Sequence, residues 1–226
     1  MKVRLLKRTN IEDALSKVRG LSIKDSQDQI NQIIKDLGIK RLNNFDLDLL
    51  NKQKIFHLDH IQKICIDYRL RFLDIKYFKN DLPEEAIKEI DRIENLHDTK
   101  LGEYKVMAPS ILFRLKKTDD PLLFVPLGND YFYLVHKWGN DLSPMRKIFM
   151  WPFKNIWNLL ISIFIFSLVV TELTPIAFFT RTPDVSTYWM LFFFIFKAIA
   201  SVVIYFGFAL GKNFNPAIWN NRYNKT

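Results

Sequence analysis

"MLFFFIFKAIASVVIYFGFAL", residues 190–210, is apolar throughout except for Lys197 near its middle. An earlier run of the same kind, residues 156–179, holds one ionisable side chain, Glu172. With Tyr188 and Trp189 added, the later run covers 188–210, so the two segments have 23 and 24 residues. At ~1.5 Å rise per residue each makes a helix longer than the roughly 30 Å hydrocarbon core of a bilayer. One buried helix of a soluble protein can be this apolar. Two in succession, with aromatic and basic flanks, read as a transmembrane hairpin.

The rest of the chain is organised around that pair. A mean hydropathy of −0.03 conceals a partition, because residues 1–154 carry nearly all the charge. The expected order is a cytoplasmic α+β domain over 1–145, an interfacial collar over 146–155 and transmembrane helix 1 over 156–179. An external loop over 180–187, transmembrane helix 2 over 188–210 and a cytoplasmic tail over 211–226 complete it. Lys137, Arg146, Lys147 and Lys154 precede the first segment, and Lys212, Arg222 and Lys225 follow the second. The loop between holds only Arg181, offset by Asp184. Since basic flanks stay inside, both termini are expected in the cytoplasm. The N-terminal "MKVRLLKRTNIEDALSKVRG" lacks the apolar core of an export signal, so a bacterial inner membrane is the expected location.

The collar combines Arg146, Lys147 and Lys154 with Trp151, the mixture that settles at headgroup level. The net charge of +9 fits this topological use of basic residues. Nucleic acid is not an expected partner, because the lysines are interleaved with acids rather than gathered with stacking aromatics. The single Cys65 excludes an internal disulfide and a CxxC metal knuckle.

Within 1–145, residues 1–20 read as a polar arm of weak helical tendency. Ser26 and Gln29 form a capping box for a short helix over 26–38, stopped by Gly38. Residues 45–53 are a further short candidate. The segment 56–78 reads as one long helix with two apolar faces, the centre of a small bundle. Asp81 and Pro83 open another helix. Alternation over 111–116, and two β-rich runs around Gly128-Asn129-Asp130, predict an antiparallel meander after the bundle.

Chemistry-bearing motifs are few. His57 and His60 share a helix face, but Cys65 projects elsewhere, so a structural role is favoured over a metal site. Asp119 and Asp120 are read as turn residues in preference to a pair for acid–base work or Mg²⁺ binding. Ser110, Ser143, His97 and His136 form no hydrolase pattern. No catalytic residue, metal or cofactor is assigned. Tyr131, Tyr133 and Trp138 make the hairpin aromatic, either as core or as a partner-docking surface.

Glu172 and Lys197 are the most specific signal. Measured from the midpoints of the two apolar runs, their depths differ by about 4 Å, so an intramembrane ion pair is expected ahead of two other readings, a contact to a partner's transmembrane helix and a proton or ion path. Each charge alone costs about 2.5–3.5 kcal/mol on insertion scales. The function expected is an accessory or scaffold subunit whose soluble domain docks a membrane-protein partner or a second copy of the chain. A transport or proton-coupled subunit using Glu172 and Lys197, or a membrane-bound enzyme, are the alternatives.

Overall fold

The computed structural model describes residues 8–22, 43, 45–46, 49–109, 121–181, 184–209 and 219–220. The expected helix over 26–38, the strand over 111–116, Asp119, Asp120 and most of the tail lie outside them. The chain divides into two compact units, Met1–Ile148 with Trp219–Arg222, and Phe149–Ile218 with Tyr223–Thr226.

The first unit begins with α1, Ile11–Ser22. The Asn10 side chain accepts from the Glu12 N–H at 2.9 Å, and Glu12 and Asp13 favour the positive helix start. Ile11 and Leu15 are fully buried, with Ala14 and Val18 packed beside them. That spacing is one helical stripe, so the polar arm expected here supplies a core helix instead.

Residues 56–78 are not one helix. They divide into β1 (Ile55–His57), α2 (Leu58–Tyr68), β2 (Leu70–Asp74) and a 3-10 turn over Ile75–Tyr77. The break is Arg69, left-handed at φ 52°, whose N–H closes the helix on the Cys65 carbonyl. The second apolar stripe expected of a single helix belongs largely to β2, where Leu70 and Phe72 face one core and Leu73 the other. In place of the short helix expected over 45–53, the described residues show a 3-10 turn over Lys52–Lys54. α3, Glu84–His97, starts behind Pro83 as expected and ends at Asp98, φ 45°.

β3 (Lys105–Pro109), β4 (Leu122–Gly128) and β5 (Tyr131–Lys137) complete a five-stranded sheet of order β1-β5-β4-β3-β2, antiparallel throughout. The β4–β5 turn falls at Asn129 and Asp130, both at positive φ, as a two-residue hairpin loop requires. One sheet face packs Phe72, Phe124 and Phe132 with Ile11, Ile61 and Cys65 from α1 and α2. The other packs Val106, Leu123, Val125 and Tyr133 with Ile93 of α3 and with Phe45. β4 is buried at every position because both its faces are covered. Helices therefore alternate with strands rather than preceding them as a bundle. Trp219, which follows the second apolar helix in sequence, belongs to the first of these cores.

α4, Arg146–Met150, leads to a 3-10 turn over Trp151–Phe153. In the second unit, Asn155 caps α5 (Ile156–Leu173) by accepting from the Asn158 N–H at 2.8 Å. α5 stops well before the apolar run does, because Pro175 has no N–H to continue the ladder. α6, Val185–Ala209, begins earlier than the apolar run, with the Asp184 carboxylate accepting from the Val185 N–H at 2.7 Å. The helices are ~27 Å and ~37 Å long at 1.5 Å per residue. They pack together along Leu159, Ile163, Ser167 and Thr171 of α5 and Leu191 and Phe192 of α6. Phe164 sets its ring edge-on to Phe192 at 5.4 Å.

Both helices are long and apolar enough to cross a membrane, with mean hydropathies of 2.1 and 2.2. In the most apolar 18-residue stretch of each, only 22% and 17% of the residues are buried, whereas the core helix of a soluble protein is mostly covered.

Candidate functional site

The ionisable groups of the two apolar helices do not meet each other. Glu172 is the penultimate residue of α5, and its Oε1 accepts from the Tyr188 hydroxyl, in the first turn of α6, at 2.7 Å. Lys197 lies nine residues beyond Tyr188, about 13 Å further along α6. The expected Glu172–Lys197 pair is thus replaced by a Glu172–Tyr188 bond. Depths reckoned from apolar runs placed the helix ends wrongly. Pro175 pulls Glu172 to the end of α5, and Asp184 starts α6 three residues early.

Around Glu172 the last turns of α5 carry a chain of hydroxyl back-bonds. Ser167 donates to the Ile163 carbonyl at 2.7 Å, Thr171 to Ser167 at 2.8 Å and Thr174 to Val170 at 2.7 Å. Each hydroxyl finds an acceptor inside its own helix, which lets Ser167 and Thr171 occupy a buried apolar seam. Lys197 is exposed, and among the described residues no hydrogen-bond or ion-pair partner is within reach.

Two of the basic collar residues are tied into the first unit. The Arg146 Nε donates to the Tyr68 carbonyl at 2.8 Å, and the Lys147 ammonium lies 3.0 Å from Asp67. Both cations thus gather at the C-terminus of α2, where the helix dipole is negative. The hydrogen bond to Asp67 holds the Lys147 pKa up. Burial, and then Arg146, push that of Arg69 down. Trp151 is exposed and its carbonyl accepts from the Asn158 side-chain amide at 3.0 Å, while Lys154 closes the 3-10 turn through its N–H. Ile148 and Phe149, between Lys147 and Lys154 in sequence, stay exposed.

Of the hairpin aromatics Tyr133 is core, while Tyr131 and Trp138 are half-buried and packed against that core. Tyr133 is 5% exposed and packs on Phe45, and burial pushes its pKa up. Tyr131 sets its ring against His57 at 4.9 Å, and Trp138 lies edge-on to Phe78 at 6.0 Å. Helices cover both faces of the sheet, so these aromatics have neighbours on each side.

His57 caps α2 by accepting from the Asp59 N–H at Nδ1, and its ring sits 6.3 Å from that of His60. Burial and the neighbouring His57 hold the His60 pKa down. Cys65 is wholly buried, which pushes its thiol up and makes it a poor nucleophile. Among the described residues no group of three His, Cys, Asp or Glu side chains is placed to hold a metal ion. Sequence reasoning missed Tyr188, Asp67 and Trp219. Helix ends set by Pro175 and Asp184 contained the signal for the first of these.

No protein-family model, curated protein or solved structure matches the chain.

Proposed function

We propose that the protein is a two-span integral membrane subunit, with α5 and α6 crossing the bilayer and the first unit on its cytoplasmic face. The observation that carries this reading is the course of the chain. It leaves the first unit after Ile148, forms two sparsely covered apolar helices, and re-enters that unit's core at Trp219. A chain that belongs to one folded unit both before and after the two helices crosses an even number of times, which agrees with the basic flanks and the nearly uncharged loop. At ~27 Å, α5 is marginally short for a bilayer core of about 30 Å, while the longer α6 must tilt beside it. Trp157, two residues into α5, and Tyr205, near the end of α6, are exposed at levels suited to the interfacial belts.

An accessory or scaffold role follows from what two spans can do. A single hairpin encloses no solute path, and Glu172 and Lys197 do not share the depth that a proton relay between them needs. The Arg146 and Lys147 contacts tie the start of α4 to α2 within the first unit, close in sequence to the first span.

Two measurements test the reading. Alkaline carbonate should leave the full chain in the membrane pellet, and release into the supernatant would contradict spanning. Purification in mild detergent should return the chain in fixed stoichiometry with one membrane-protein partner, identified by mass spectrometry. A chain that purifies alone and sustains solute flux in vesicles would contradict the accessory role.

A further inference from the structure

Lys197 is the midpoint of α6, twelve residues from Val185 and twelve from Ala209, about 18 Å from either end. Its side chain is too short to bring the ammonium to an interface from there, so snorkelling does not solve its solvation. The rest of the hairpin does not solve it either. At ~100° per residue, Lys197 lies about 120° from buried Leu191 in one direction and about 140° from buried Phe192 in the other. It therefore faces away from α5. Its neighbours on that side are Met190, Phe193, Ser201 and Ile204, all exposed. The one carboxylate in the two spans, Glu172, is bonded to Tyr188 about 13 Å away in depth. A second copy inserted the same way would bring the same offset.

We propose that Lys197 is the contact point for a transmembrane helix of another protein, one that carries a carboxylate near the bilayer centre. The outward face of α6 around it is the docking surface, and the Lys197–carboxylate pair fixes depth and register while Met190, Phe193 and Ile204 supply apolar contact. An ammonium at the centre of a lipid-facing stripe is complementary to few things a membrane contains, and an acidic helix is the one that also satisfies its hydrogen bonds. This inference rests on the two-span reading and names the chemistry of the partner which that reading leaves open.

The test uses the full chain, donor-labelled, in neutral phosphatidylcholine vesicles. The probes are acceptor-labelled Leu-rich transmembrane peptides, identical except for Asp, Lys or Leu at the central position. The Asp peptide should associate at least about tenfold more tightly than the Leu peptide. Lys197→Met should remove the difference, and Lys197→Arg should keep it. Lys197→Asp should move the preference to the Lys peptide. Because Lys197→Met makes the span more apolar, loss of binding in that variant is not loss of insertion, and carbonate extraction of each variant verifies this. Equal binding of the Asp and Leu peptides by an inserted wild-type chain overturns the Lys197 proposal and leaves the two-span reading intact. Failure of the wild type to insert overturns both. Energy transfer between copies of the chain that falls with Lys197→Met also overturns it, by making a second copy the occupant.

Discussion

Trp219 offers a test of the chain's return to the first unit. Its side chain is 9% exposed in the core that holds Ile11, Ile61 and Phe132. A tryptophan buries about 150–250 Å². At ~25 cal/mol per Å² that contributes about 4–6 kcal/mol, an upper figure because unfolded chains already hide some apolar surface. Truncation to alanine at such sites costs about 3–5 kcal/mol, which is consistent. For a unit of this size each kcal/mol moves the melting temperature by roughly 2–4 °C, so Trp219→Ala should lower it by about 6–20 °C. The melt is followed in mild detergent through the near-ultraviolet circular dichroism of the sheet aromatics, with the full chain as reference. A chain truncated after residue 210 should show a loss at least as large. A shift below about 1 °C in both would mean that Trp219 lies outside the core. The chain after the second apolar helix would then not be tied to the first unit, and the two ends of the hairpin need not lie on one side.

Other outcomes follow from the same contacts. Tyr133→Ala should destabilise the first unit by about 3–5 kcal/mol and lower its melting temperature; an unchanged melt with a lost partner would restore the docking surface. Glu172→Gln and Tyr188→Phe should each weaken the α5–α6 hairpin in detergent by about 1–2 kcal/mol, with a double variant little worse than either single change. Additive losses would show that the hydroxyl and carboxylate do not interact. Burial, joined at His60 by the charge of His57, holds the His60 and His97 pKa values below the ordinary histidine value. The unfolded chain therefore takes up protons first, and stability should fall as pH drops below about 6.5 toward the folded values. His97→Gln should flatten that decline in pH-dependent melts, and a wild-type melt that is level from pH 7 to 5 would contradict it.

The two apolar helices were legible because length and composition alone mark them, and the hairpin because Gly128-Asn129-Asp130 supplies positive φ where a tight turn needs it. The split of 56–78 was hidden. Ile66, Leu70 and Leu73 fit a helical stripe as well as two faces of a strand, and nothing about an arginine announces the left-handed Arg69 that decides between them. α1 was missed because Ile11, Ala14, Leu15 and Val18 are diluted by charged neighbours, although their spacing is helical. The candidate site failed for a sharper reason. Depth in a span must be reckoned from helix caps, and an apolar run extends past them; counting from Pro175 and Asp184 brings Glu172 to Tyr188 and leaves Lys197 alone.

The most direct test of two-span insertion is cysteine labelling from the two sides of the membrane. Cys65 stays silent because it is buried, so single cysteines at Ser186, Asp130 and Asn224 report independently. Ser186→Cys should react with an impermeant maleimide in intact cells, while Asp130→Cys and Asn224→Cys should react only after permeabilisation. If all three react from the same side, the apolar helices lie on the membrane or against a partner and do not cross it.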